Sequence, residues 1–188
     1  MYEGDLYYYF DPPLLERAVL YNLELHITRR EGLVHSIRIH SQVLGDPKTN
    51  HLAQDWHRYS LDQVLTRYGQ PSQVMLEFWP NPPGPHYPYS LFVFYDHLGI
   101  LIRYSGAAIP GESFRMCPEL AEIEHLSLWL RSSGEGSSLL ELANLDRAEL
   151  AQLLSLEEAA GMDIQTFYET FREAGAAVCL ESSAAVWP

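Results

Sequence analysis

The sequence predicts an α+β protein. Helices pack on one face of an antiparallel sheet, with the pattern of a degenerate tandem helix-plus-strands repeat, and a helical C-terminal segment follows. Three observations predict this. Short runs that alternate apolar and polar residues recur between Gly, Pro, Asn and Asp, the signature of half-buried strands. Residues 60–68 carry apolar side chains at helical spacing between a start signal and a stop signal. Past the Gly/Ser-rich stretch "RSSGEGSS" (131–138), the pattern turns helical.

The first clear element is "YNLELHITRREGLVHSIRIH" (21–40), which reads as a β-hairpin. Leu23, Leu25 and Ile27 alternate with Glu24, His26 and Thr28. After a polar turn at Arg29–Gly32, Leu33, His35, Ile37 and Ile39 alternate with Val34, Ser36, Arg38 and His40. A period of two places each set on one sheet face. "LGDPKTN" (44–50) reads as a loop and 51–59 as a short helical turn. Ser60 stands where an N-cap belongs, with Gln63 at the capping-box position. Leu61, Val64, Leu65 and Tyr68 form the inner face of this helix, and Gly69 and Pro71 stop it. A strand over 72–80, the loop "PNPPGPHYP", a hairpin over 89–106 turning at Asp96–Gly99, and a strand over 119–130 follow.

The hairpin at 21–40 parallels the later one in pattern, which is the basis for the repeat. The chain then divides into an abbreviated hairpin unit (1–50), a helix-plus-sheet unit (51–131) and a helical segment (139–188) on the same body. In that segment Asp146, Ser155 with Glu158, and Asp163 mark helix starts, and Gly161 is a break. Ile164, Phe167, Tyr168 and Phe171 line the last helix, and "LESSAAVWP" reads as an arm packed through Trp187.

Composition narrows the role. A net charge of −13 argues against nucleic acid and against an anionic membrane surface. No apolar run is long enough for a transmembrane helix. "MYEGDLYYYFDPP" is acidic and aromatic, so it is no signal peptide; it reads as an abrupt entry into structure, compatible with a leader trimmed from before Met1. Cys117 and Cys179 both sit in apolar settings. They are either two buried thiols of a cytoplasmic protein or a disulfide. A bridge closing about 60 residues would contribute about 4 kcal/mol.

No catalytic motif is present: there is no G-x-S-x-G, H-E-x-x-H, P-loop or G-x-G-x-x-G. No catalytic residue and no cofactor are assigned. Strand alternation does collect a set of side chains on the sheet face away from the helices. Glu24, His26, Arg38 and His40 share it with Glu77, Trp79, Arg103, His125, Ser127 and Trp129. Such a face is either an ordinary solvated surface, a surface covered by a terminal helix, or a binding surface, since Trp, Tyr and Arg anchor interfaces. The loop "WPNPPGPHYPY" (79–89) is stiffened by prolines and carries Trp79, His86, Tyr87 and Tyr89; it is either a hairpin connection kept rigid by proline or a pre-ordered binding element. The candidate binding residues are therefore Trp79, His86, Tyr87, Arg38, His40, Arg103, His125 and Trp129. The alternative is a metal-binding protein or enzyme using His26, His40 and His125.

"YSLDQVLTRYGQPSQVML", "YSLFVFYDHLGILIRYSG" and "CPELAEIEHLSLWL" together resemble the unit of the β-lactamase inhibitor protein-like fold. They are also similar to the small outer-membrane assembly lipoproteins of the SmpA/OmlA type, and to bacterial exported proteins and lipoproteins with a tandem version of the unit. The Cys-Pro before the last strand and the "CLE…WP" ending recur in that last group. The resemblance covers residues 20–130 for the fold and carries no functional residue across. It implies an extracytoplasmic or cell-envelope location, a lipid anchor if a leader with a lipobox cysteine precedes Met1, and a protein or cell-envelope partner. It also implies a Cys117–Cys179 disulfide, because oxidising compartments favour such bridges.

Overall fold

The computed structural model describes residues 6–10, 21–30, 33–43, 52–131, 138–173 and 178–187. The strands are β1 (Leu6–Phe10), β2 (Tyr21–Arg30), β3 (Leu33–Val43), β4 (Gln73–Phe78), β5 (Pro88–Tyr95), β6 (Ile100–Ala107), β7 (Phe114–Met116), β8 (Ile123–Arg131), β9 (Leu153–Ser155) and β10 (Leu180–Ser182). The helices are α1 (Leu52–Asp55), α2 (Leu61–Tyr68), α3 (Arg147–Ala151), α4 (Leu156–Ala160) and α5 (Ile164–Phe171). Eight strands pair antiparallel into one sheet, ordered β1-β2-β3-β8-β6-β5-β4-β9, and β10 pairs with β7 apart from it. The α+β class and its antiparallel sheet are as expected. The sheet draws strands from all three sequence stretches.

Local chemistry explains the strands. "SLFVFY" in β5 and "ILIRY" in β6 are nearly continuous β-formers, as a strand buried on both faces requires. The β5–β6 turn passes through a helical turn at Asp96–Leu98 and closes on left-handed Gly99. β3 then lies against β8, and this pairing joins the N-terminal hairpin to the rest.

One face of the sheet carries the main core. Val74, Leu76, Leu91, Val93, Ile102, Tyr104, Leu126 and Leu128 meet Leu61, Val64 and Leu65 of α2 and Phe167 and Phe171 of α5. Three buried tyrosines reach backbone carbonyls of the covering segments, as buried hydroxyls must. Tyr95 donates to Gly69, Tyr104 to Tyr59 and Tyr89 to Cys117. Trp187 closes this side, edge-on to Phe78 at 5.4 Å with its indole N–H on Ser182. Cys117 and Cys179 form a disulfide that ties β10 to the end of β7.

Several expectations are corrected. Ser60 does not cap α2: its hydroxyl donates to the His57 carbonyl and the Asp62 carboxylate, and Gln63 turns to Asp62. The strand expected from residue 119 begins at Ile123, after a turn. Residues 153–155 are a strand where a helix was expected, because they extend the edge of β4. The segment 139–143 is a 3₁₀ turn. The expected caps at Asp146, Ser155 and Asp163 all form, and Gly161 ends α4 in the left-handed region. The loop 44–50, most of the 131–138 stretch and residues 1–5 and 11–20 of the expected first unit lie outside the described residues.

Candidate functional site

The sheet register places the predicted residues. Across β2, β3, β8, β6, β5 and β4, one row reads Glu24, His40, Ser127, Arg103, Phe92, Met75. The row on one side reads His26, Arg38, Trp129, Leu101, Phe94, Gln73; on the other, Gln42, His125, Ser105, Ser90 and Glu77 follow from β3 onward. Residues directly opposite on an antiparallel ladder share a face. Arg38, His40, Arg103, His125 and Trp129 thus stand on one face, as alternation predicts.

That face is not uniformly open. Phe92, Phe94, Leu101 and Trp129 form a second apolar cluster under Leu139, Leu140, Leu142 and Leu145, with Met75 and Leu153 at its side. Trp129 is 2% exposed, so the expectation of an exposed indole is corrected: the C-terminal segment folds over it. The spacing of leucines in "SLLELANL" is the signal that could have announced this cover. The open part of the face begins beside Trp129, where Arg38, His40, Arg103 and His125 are half-buried.

These four basic groups crowd together. The guanidinium carbons of Arg38 and Arg103 lie 5.4 and 5.5 Å from the Trp129 ring centroid. Guanidinium–indole contacts are favourable and hold both arginines against the one indole. The His40 and His125 rings stack at 5.5 Å with 15° between their planes. His40 Nδ1 is 2.7 Å from the Ser127 hydroxyl, which is completely buried. The pair locks the imidazole; a nucleophilic serine would need access to substrate, which Ser127 lacks.

Burial and mutual repulsion set the electrostatics. Loss of hydration, then the charges of Arg38, His125 and Arg103, lower the His40 pKa to about 4. Burial and Arg103 lower that of His125. Burial, then Arg38, lower that of Arg103, against the pull of Glu77 and Glu149. Glu77, 6% exposed, is pushed up by burial although it accepts the Trp79 indole N–H at 3.1 Å. The Nε atoms of Arg38 and Arg103 and Nδ1 of His125 are buried without a hydrogen-bond partner. Among the described residues no carboxylate lies within ion-pair distance of either arginine.

The remaining candidates stand apart. Trp79 is half-buried and reaches toward the cluster through Glu77 and the Ser90–Ser105 hydroxyl pair, 2.9 Å apart. His86 is exposed and 3.4 Å from Glu124, and the Tyr87 ring packs 5.1 Å from Phe114. Among the described residues no three His, Cys, Asp or Glu side chains are grouped to hold a metal ion. A cation at His40 and His125 would also face the two arginines that already oppose their protonation. A shallow cleft of about 370 Å³ lies elsewhere, between α2, the Pro118–Ala121 turn and α5, with Asp62 and Glu119 at its rim.

No family model, no curated protein and no solved structure matches the chain.

Proposed function

We infer that this chain is a non-enzymatic, extracytoplasmic binding module that meets a protein or cell-envelope partner through the open part of its sheet face. One observation carries the reading. Arg38 and Arg103 converge on Trp129 beside His40 and His125 with no ion-pair partner among the described residues, in a chain of net charge −13. Arginines held against an indole without an ion-pair partner are the chemistry of an interface anchor. The resemblance to inhibitor and assembly lipoproteins supports the class of role. The Cys117–Cys179 bridge supports an oxidising compartment. No described helix is long and apolar enough to cross a membrane.

The test is capture of partners from a cell-envelope extract by the wild-type chain and by R38Q and R103Q. The expected outcome is a partner retained by the wild type and lost from both variants. An unchanged partner set on folded variants rejects the face. Trp129→Ala is the wrong probe, because removing a buried indole unsettles the second apolar cluster itself.

A further inference from the structure

Resting on the binding-face reading, we propose that Arg38 and Arg103, which flank Trp129 from β3 and β6, form a carboxylate-binding site that takes an acidic side chain from a peptide segment of the partner protein. The argument begins with what the face lacks. Arg38 on β3 stands near enough to lower the pKa of Arg103 on β6, and although Glu77 and Glu149 pull the other way, no described carboxylate lies within ion-pair distance of either arginine. Like charges gathered in a partly dehydrated place destabilise the free protein, and an anion between them relieves that repulsion.

Hydrogen bonding points the same way. Nε of each arginine and Nδ1 of His125 are shielded from water and unpartnered, which is unfavourable until an acceptor arrives. A guanidinium presents its donors as a planar fork that matches the two oxygens of a carboxylate. Contact with the Trp129 ring restricts both forks before the ligand arrives.

Scale decides which anion. The positive region is a few side chains wide and is bordered by Glu24 on β2, Glu77 on β4 and Glu149 on α3. The rest of the chain is strongly acidic. A nucleic acid or an anionic bilayer brings many charges over a wide area, most of which would meet repulsion here. One or two carboxylates on a short segment reach the arginines and leave the acidic surroundings unopposed.

The experiment titrates the wild-type chain with a short glutamate-rich peptide and follows the ¹⁵N–¹H signals of the arginine Nε groups. Matched titrations use a lysine-rich peptide, sodium phosphate, and vesicles with and without phosphatidylglycerol. Saturable shifts of the Arg38 and Arg103 signals with the glutamate peptide are expected, weakened by added salt. R38Q and R103Q should each reduce affinity by about tenfold or more, and R38K by less, since lysine keeps the charge and loses the fork. If R103Q fails to fold, R38Q and the wild-type signals carry the test.

The proposal is overturned if no saturable shift occurs, if both variants bind unchanged, or if phosphate or anionic vesicles compete at lower concentration. Its failure is separable from that of the binding-face reading. Loss of partner capture in R38Q without any peptide response leaves the face standing and removes the carboxylate. Unchanged capture removes both.

Discussion

His40 is held against its own protonation. Its pKa is about 4 in the folded chain against an ordinary 6.5, with burial first and the charges of Arg38, His125 and Arg103 after it. Between those values the unfolded chain binds the proton and the folded chain does not. Stability is therefore highest above pH 6.5 and is lost as pH falls toward 4. The neighbours on the ladder are Glu24 opposite on β2, His26 diagonal to it, and Gln42, Ser127 and His125 on the other sides. H40N should lose less stability than the wild type across this window, read as urea midpoints at a series of pH values. Glu77 behaves in the opposite sense: burial raises its pKa, so its ionised form opposes the fold at neutral pH. E77Q keeps an acceptor for the Trp79 indole and gives up only the pull of Arg103. A higher melting temperature at neutral pH is expected, with the gain shrinking as the solution is acidified through the carboxylate range.

Among the elements, the short C-terminal helices depend on their first residues. Ser155 accepts the Glu158 N–H, and Glu158 reaches back to the Ser155 N–H. S155A should therefore destabilise by about 1 kcal/mol in urea unfolding. S60A should change stability less, since the Ser60 hydroxyl meets no amide of α2. The contrast shows what a sequence reveals and what it conceals. Both serines stand at helix starts with a polar residue three positions on. At Ser60 the Asp62 carboxylate, two residues on, accepts the hydroxyl's hydrogen bond, a competition that residue types alone do not settle. The long strands were legible because their alternation is a local property. Strands β1, β7, β9 and β10 have three to five residues each, and their pairing is decided by distant partners, so no period announces them. The candidate site divides in the same way. Alternation alone put Arg38, His40, Arg103 and His125 on one face. The cover over Trp129 depends on where Leu139 and its neighbours come to rest, which is a tertiary fact.

For the whole molecule, the disulfide and the β3–β8 pairing do different work. The bridge spans 62 residues and holds the small β7–β10 sheet beside Trp187. The double variant C117S/C179S should lose up to about 4 kcal/mol in urea unfolding by the chain-entropy argument. Amide exchange should rise first in β10 and β7. The β3–β8 seam reaches further along the chain, with Ser127 lying 87 residues beyond His40. This has a consequence for the newborn polypeptide. β2 and β3 can close their own hairpin early, but the edge of β3 has no neighbour until β8 has emerged. At about 5–20 residues per second that interval is roughly 4 to 17 s. Throughout it a hairpin with an open backbone edge waits in the company of other chains, which is the form most prone to pair wrongly. The arrival of β8 therefore sets the moment at which the N-terminal third gains its shelter.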